Sequence, residues 1–216
     1  MSEEVLAMVG NVFRAFRETE DAEQMTKLLY TLFFGFFAGV LGMVIKQESL
    51  LYNTGFLDSY TLSPIKYLEP DIGKLLPAIL IQRLGTALLL VVLSTTYLGG
   101  AAAYFYQIWS GLAMGILTAG GMIRYGMKGL LLIAGSLLPQ QFILIPVYLV
   151  LSVECCELCK VMYFRRTPGE FSGRDRGRVF LKKGLRMVFC LMIIAAGCFV
   201  EAYMNPPILK AILKLF

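Results

Sequence analysis

Arg83 and Glu201 are the two residues of this chain that most need a chemical explanation, because each stands inside a run of otherwise apolar residues. Where such runs cross a bilayer, a central charge costs roughly 2.5–3.5 kcal/mol on insertion scales, so it needs a partner, a pathway or a route to the headgroups. Gln140 and Gln141, set between Pro139 and Pro146, are a second unusual place, and Cys156-x-x-Cys159 is a third. Familiar catalysis finds little support in these residues. The chain has no histidine, which removes Ser-His hydrolysis, HExxH zinc chemistry and histidine proton relays. Asp58 and Asp71 both fall in a polar stretch, so no intramembrane aspartate pair exists, and no GxxxxGK[ST] loop is present. Two cysteines without a second pair or a histidine cannot close a four-ligand zinc site. Cys155, Cys156, Cys159, Cys190 and Cys198 read as reduced thiols. The expectation is a non-enzyme with no catalytic residue, no metal and no cofactor.

The elements that must position these residues are long and apolar. Of 216 residues, 57% are hydrophobic and only 16% charged, well below the quarter or so that soluble domains carry. A bilayer span takes about 20 apolar residues. The runs predict an all-α polytopic membrane bundle of about five helices, at 28–45, 75–98, 101–123, 129–153 and 187–204. Ahead of them, residues 1–27 form an arm in which Val5, Met8, Val9, Val12, Phe13 and Phe16 recur at helical spacing, the pattern of an amphipathic helix lying in the interface or against a partner. The acids at 3, 4, 18, 20, 21 and 23 argue against a cleaved signal peptide. Residues 46–74 are polar, with turn signals at Asn53-Thr54-Gly55 and Ser63-Pro64. Gly99-Gly100 is expected to break the second run from the third, and residues 154–186 to form a basic loop. Asn205-Pro206-Pro207 is expected to end the fifth run before a short tail, 205–216.

Orientation follows from the basic residues. With the N-terminus in the cytoplasm, cytoplasmic segments hold twelve Lys and Arg and external ones seven, driven by nine in the 154–186 loop. The positive-inside rule then sets the N-terminus in the cytoplasm and the C-terminus outside. The net charge of +5 suits topology and anionic lipid headgroups rather than nucleic acid.

In that arrangement Arg83 and Glu201 both lie toward the external face. They either pair, fixing the second helix against the fifth, or snorkel separately to headgroups. In the fourth helix Pro139 and Pro146 each remove a backbone hydrogen bond, so a kink or break is expected there. The freed carbonyls need donors from the protein, and Gln140 and Gln141 are placed to supply them. The reading is of a structural keystone; a broken-helix substrate path is the competing one.

Two segments together resemble the stage II sporulation protein M family: Ser136-Leu137-Leu138-Pro139-Gln140-Gln141-Phe142-Ile143-Leu144-Ile145-Pro146, and Glu201-Ala202-Tyr203-Met204-Asn205-Pro206. The resemblance covers nearly the whole chain except the N-terminal arm and residues 46–74. It implies a membrane scaffold for two peptidoglycan-degrading partners, stage II sporulation proteins D and P, during engulfment in endospore formation. From their own chemistry, Arg83, Pro139, Gln140, Gln141, Pro146, Glu201, Asn205 and Pro206 are read as structural, intramembrane polar positions rather than catalytic ones. Residues 46–74 and the C-terminal tail are the expected docking surfaces. A permease subunit served by a separate ATPase, using Arg83, Glu201, Gln140 and Gln141 as a polar path, is the alternative.

Overall fold

The computed structural model describes residues 19–46, 72–164 and 173–213. Most of the expected amphipathic arm and of the 46–74 segment therefore lies outside the described residues. What is described is helical, with no strand among the described residues. Helix α1 is Thr19–Ile45, α2 is Ile72–Ser94, α3 is Gly99–Cys159, continued by a π-helical turn Lys160–Phe164, and α4 is Gly173–Leu213.

Helix α3 is two helices joined at one residue. Gly126 has φ 60 and ψ −140 and is the non-helical residue within the element, a conformation that side chains with a Cβ rarely tolerate. On either side of it, Gly121 and Gly129 face each other so closely that a Cβ on Gly129 would collide with the Gly121 carbonyl oxygen. Two arms result, 99–125 and 127–159, packed as an antiparallel hairpin. The expected break at the prolines is corrected here: Pro139 and Pro146 both lie within continuous helix. Each lacks an N–H, but its fixed φ suits a helix, so the ladder thins without ending.

The same correction holds at Asn205-Pro206-Pro207, where α4 continues to Leu213 instead of ending. The anticipated basic loop is also shorter than its charge suggested. Helical backbone persists to Phe164 and resumes at Gly173, because Glu154 and Glu157 are neutralised inside the bundle rather than released to water. Helix α2 ends at Ser94, before Gly99-Gly100, and the hydroxyls cause it. Ser94, Thr95 and Thr96 donate to the carbonyls of Val91, Val92 and Leu93 at 2.6, 2.7 and 2.7 Å, which turns the chain in four residues.

The bundle is built around the second arm of α3. Every residue from Val147 to Cys159 is buried, and a helix apolar all round belongs at the centre of such an assembly. In the most apolar window of Gln140–Tyr163, 78% of residues are buried, against 11% for Leu75–Ser94, which lies on the rim. Ala87 and Leu90 of α2, Leu144, Val147 and Leu151 of the central arm, and Met187 and Ile194 of α4 share one core.

Helix α1 joins by a different device. A Cβ at Gly35 would strike Ile108, one at Gly39 would strike Leu112, and one at Gly111 or Gly115 would strike Leu32 or Phe36, each time at a backbone carbonyl. Two Gly-xxx-Gly faces thus press main chain against main chain, the contact that replaces the hydrophobic effect where the solvent is lipid. The partners ascend together along both helices, so α1 and the 99–125 arm run parallel, and α2 is the return stroke between them. Four helical segments, Ala22–Ile45, Leu75–Ser94, Gln140–Tyr163 and Lys183–Tyr203, are long and apolar enough to cross a membrane. The 99–125 arm is not among them, its apolarity diluted by Gln107, Ser110, three tyrosines and its glycines. Its buried stripe, Ala103, Gln107, Gly111, Gly115 and Ala119, is shaped for neighbours rather than for lipid.

Candidate functional site

Polar side chains gather at two levels of the bundle. At the first, Arg83 of α2 reaches Glu201 of α4, with Nη2 3.5 Å from Oε1. The carboxylate side chain is 10% exposed and the guanidinium side chain 29%. Tyr148 of the central arm donates its hydroxyl to the Arg83 carbonyl oxygen at 2.8 Å and stands 5.0 Å, ring centre to ring centre, from Tyr106. One turn further along, Gln107 donates to Ser152 Oγ at 2.9 Å and to the Tyr148 carbonyl at 3.4 Å. Three helices, α2, α3 and α4, are therefore tied by side chains across one layer.

The remaining expected residues are distributed along the same helices. Gln140 is buried, eight residues before Tyr148, or about 12 Å at 1.5 Å per residue. Gln141 and Pro146 are half-buried. Pro139, Asn205 and Pro206 belong to α3 and α4, and their side chains lie outside the described residues.

At the second level lies a cluster that sequence reasoning assigned to a solvated loop. Glu154, 1% exposed, accepts from Arg186 at 2.9 Å and from Lys183 at 3.3 Å. Glu157 faces Lys160 at 3.3 Å and Lys183 at 3.8 Å, and Lys160 also donates to Gln24 of α1. A carboxylate so buried requires its cations, since an uncompensated buried charge costs about 3–5 kcal/mol. The signal was present as Glu154-x-x-Glu157-x-x-Lys160, an i, i+3 series on one helix face, and Lys183-x-x-Arg186 before the last apolar run. Which of these charges would meet was not visible in either string alone.

The cysteines also find an ordinary role. All five are free and buried. Cys155 donates to the Leu90 carbonyl at 3.6 Å, and Cys159 lies 3.5 Å from the carbonyls of Thr96 and Tyr97. Tyr163 adds a hydroxyl to the Thr95 carbonyl at 3.0 Å. The end of the central arm thus donates to carbonyls at the end of α2 and in the α2–α3 turn. Among the described residues, no three His, Cys, Asp or Glu side chains gather as a metal site. No buried side-chain nitrogen or oxygen among them lacks a hydrogen-bond partner.

An all-helical bundle with four segments fit to cross a bilayer, and with charges paired between helices, defines a multi-pass membrane protein. The family model for stage II sporulation protein M matches residues 28–206, most of the chain, and the protein belongs to that family. No curated protein and no solved structure matches it.

Proposed function

We propose that this protein is a non-catalytic scaffold in the cell membrane that holds peptidoglycan hydrolases during endospore engulfment. Membership of a sporulation family gives the setting. The observation that carries the scaffold reading is that the polar side chains inside the bundle are spent on one another. Arg83 meets Glu201, Glu154 meets Arg186 and Lys183, and Gln107 meets Ser152. Groups so engaged rigidify a platform and are poorly placed to relay a proton or coordinate a substrate. The N-terminus is cytoplasmic and the C-terminus extracytoplasmic in this reading, which follows the excess of basic residues in 154–186. Residues 46–74 and the C-terminal tail then meet stage II sporulation proteins D and P outside. Arg83, Gln140, Gln141 and Glu201 act as internal fasteners, and Pro139, Pro146, Asn205 and Pro206 shape the helices that carry them.

Affinity purification of the tagged full-length chain from membranes of sporulating cells tests this. Both hydrolases are expected in the mild-detergent eluate. Recovery of the chain alone, from cells that demonstrably contain both enzymes, contradicts the proposal.

A further inference from the structure

A cleft of about 690 Å³ opens where α1 begins, the α2–α3 turn passes and the central arm ends. Its depth is fixed by its walls: the candidate spans start at Ala22 and end at Ser94 and Tyr163, so the cleft lies at the level of lipid headgroups. Its charges are balanced. Glu23 and Lys27 form an exposed pair at 2.7 Å on one side, with side chains 71% and 61% exposed. Lys160, half exposed, and Glu157 stand on the other at 3.3 Å. Tyr97 and Tyr104 complete the wall. Below the mouth, Ala101 begins an outward stripe that continues through Phe105 and Trp109, both over 60% exposed and stacked at 6.3 Å. That stripe leads down the 99–125 arm toward the bilayer interior.

We infer that this cleft binds one zwitterionic phospholipid, with its phosphate on Lys27 and Lys160, its ammonium on Glu23 and the tyrosine rings, and an acyl chain along Ala101, Phe105 and Trp109. Two cations without acids would select an anionic headgroup. Here each lysine has a carboxylate within 3.3 Å, so a lone anion gains one charge contact and meets one repulsion. A headgroup carrying both signs matches both, and an aromatic face adds to the ammonium's attraction. The apolar stripe selects a lipid over a soluble headgroup. The inference does not depend on the scaffold reading.

Native mass spectrometry of the full-length protein in detergent, with equimolar phosphatidylethanolamine and phosphatidylglycerol of identical chains, tests it. The zwitterionic lipid is expected to be retained about fivefold over the anionic one, the scale of the strongest exposed ion pairs. Glu23→Lys alters an exposed residue that the fold does not need, and it is expected to reverse the preference. Glycerophosphoethanolamine, lacking chains, is expected to leave the protein bare. Equal or better retention of phosphatidylglycerol by the unaltered protein, a preference unchanged by Glu23→Lys, or binding of the soluble headgroup would each overturn the assignment.

Discussion

Glu154 is the most deeply buried charged residue among those described. It is 1% exposed and holds two cations of α4. Glu154→Ala is expected to cost about 3 kcal/mol, the low end for breaking a buried pair, because Lys183 and Arg186 lose their buried acid while Lys183 keeps Glu157 at 3.8 Å. The loss should appear as a lower melting temperature in detergent. Glu154→Gln keeps the shape and a polar contact and should cost less. Arg83 and Glu201 form a softer pair, since the arginine side chain keeps 29% of its surface exposed. Arg83→Glu or Glu201→Arg alone should destabilise by about 1–3 kcal/mol, below the cost of breaking a fully buried pair. The double exchange should recover most of that loss in the same melt. A double variant no better than the worse single one would show that the 3.5 Å contact contributes nothing. Both charges of the Arg83–Glu201 pair were visible in the sequence, as isolated ions in apolar runs. Glu154 and Glu157 were visible too, but adjacent to nine basic residues they looked like the start of a loop. Charge alone does not say whether a carboxylate leaves the membrane or finds its cations within it.

The helices themselves were legible because lipid permits so few alternatives: a run of apolar residues must satisfy its backbone internally, and does so as helix. Their ends were less legible. A break or kink is expected at Pro139 and Pro146 and an end at Pro206, yet the backbone stays helical through all three, while the reversal at Gly126 falls in the expected link between the third and fourth runs. Loss of one N–H is affordable where φ already suits a helix, whereas φ 60 with ψ −140 is open almost only to glycine. Gly126→Ala is therefore expected to cost about 1–3 kcal/mol, measured by melting. Pro146→Ala, at a half-buried helical position, should leave stability unchanged or raise it. The glycine faces make a sharper test. Gly35→Leu or Gly115→Leu would drive a side chain into the backbone of the facing helix, so α1 should separate from the 99–125 arm. Disulfide cross-linking between cysteines introduced at exposed neighbouring positions of the two helices should fall accordingly.

For the whole molecule, the question is how many helices cross the bilayer. Four segments qualify by length and apolarity, and an even number would return the C-terminus to the side of the N-terminus. The packing argues for five. The 99–125 arm lies parallel to α1 over Gly35, Gly39 and Met43 against Ile108, Leu112 and Ala119, so it spans the depth that α1 spans. It is the least apolar of the five because α1 and the central arm, rather than lipid, cover its inner stripe. An odd number of crossings places the C-terminus opposite the N-terminus. With the N-terminus in the cytoplasm, as proposed above, the C-terminus and residues 46–74 would both be external, where the proposed hydrolase partners would be held. Paired alkaline phosphatase and green fluorescent protein fusions after Phe216, with matching fusions within 47–71, measure this directly. The account predicts phosphatase activity and no fluorescence at both places. Fluorescence at the C-terminal fusion with phosphatase activity within 47–71 would mean that the 99–125 arm does not cross and would contradict the five-helix bundle; fluorescence at both places would contradict the orientation and the docking surfaces built on it.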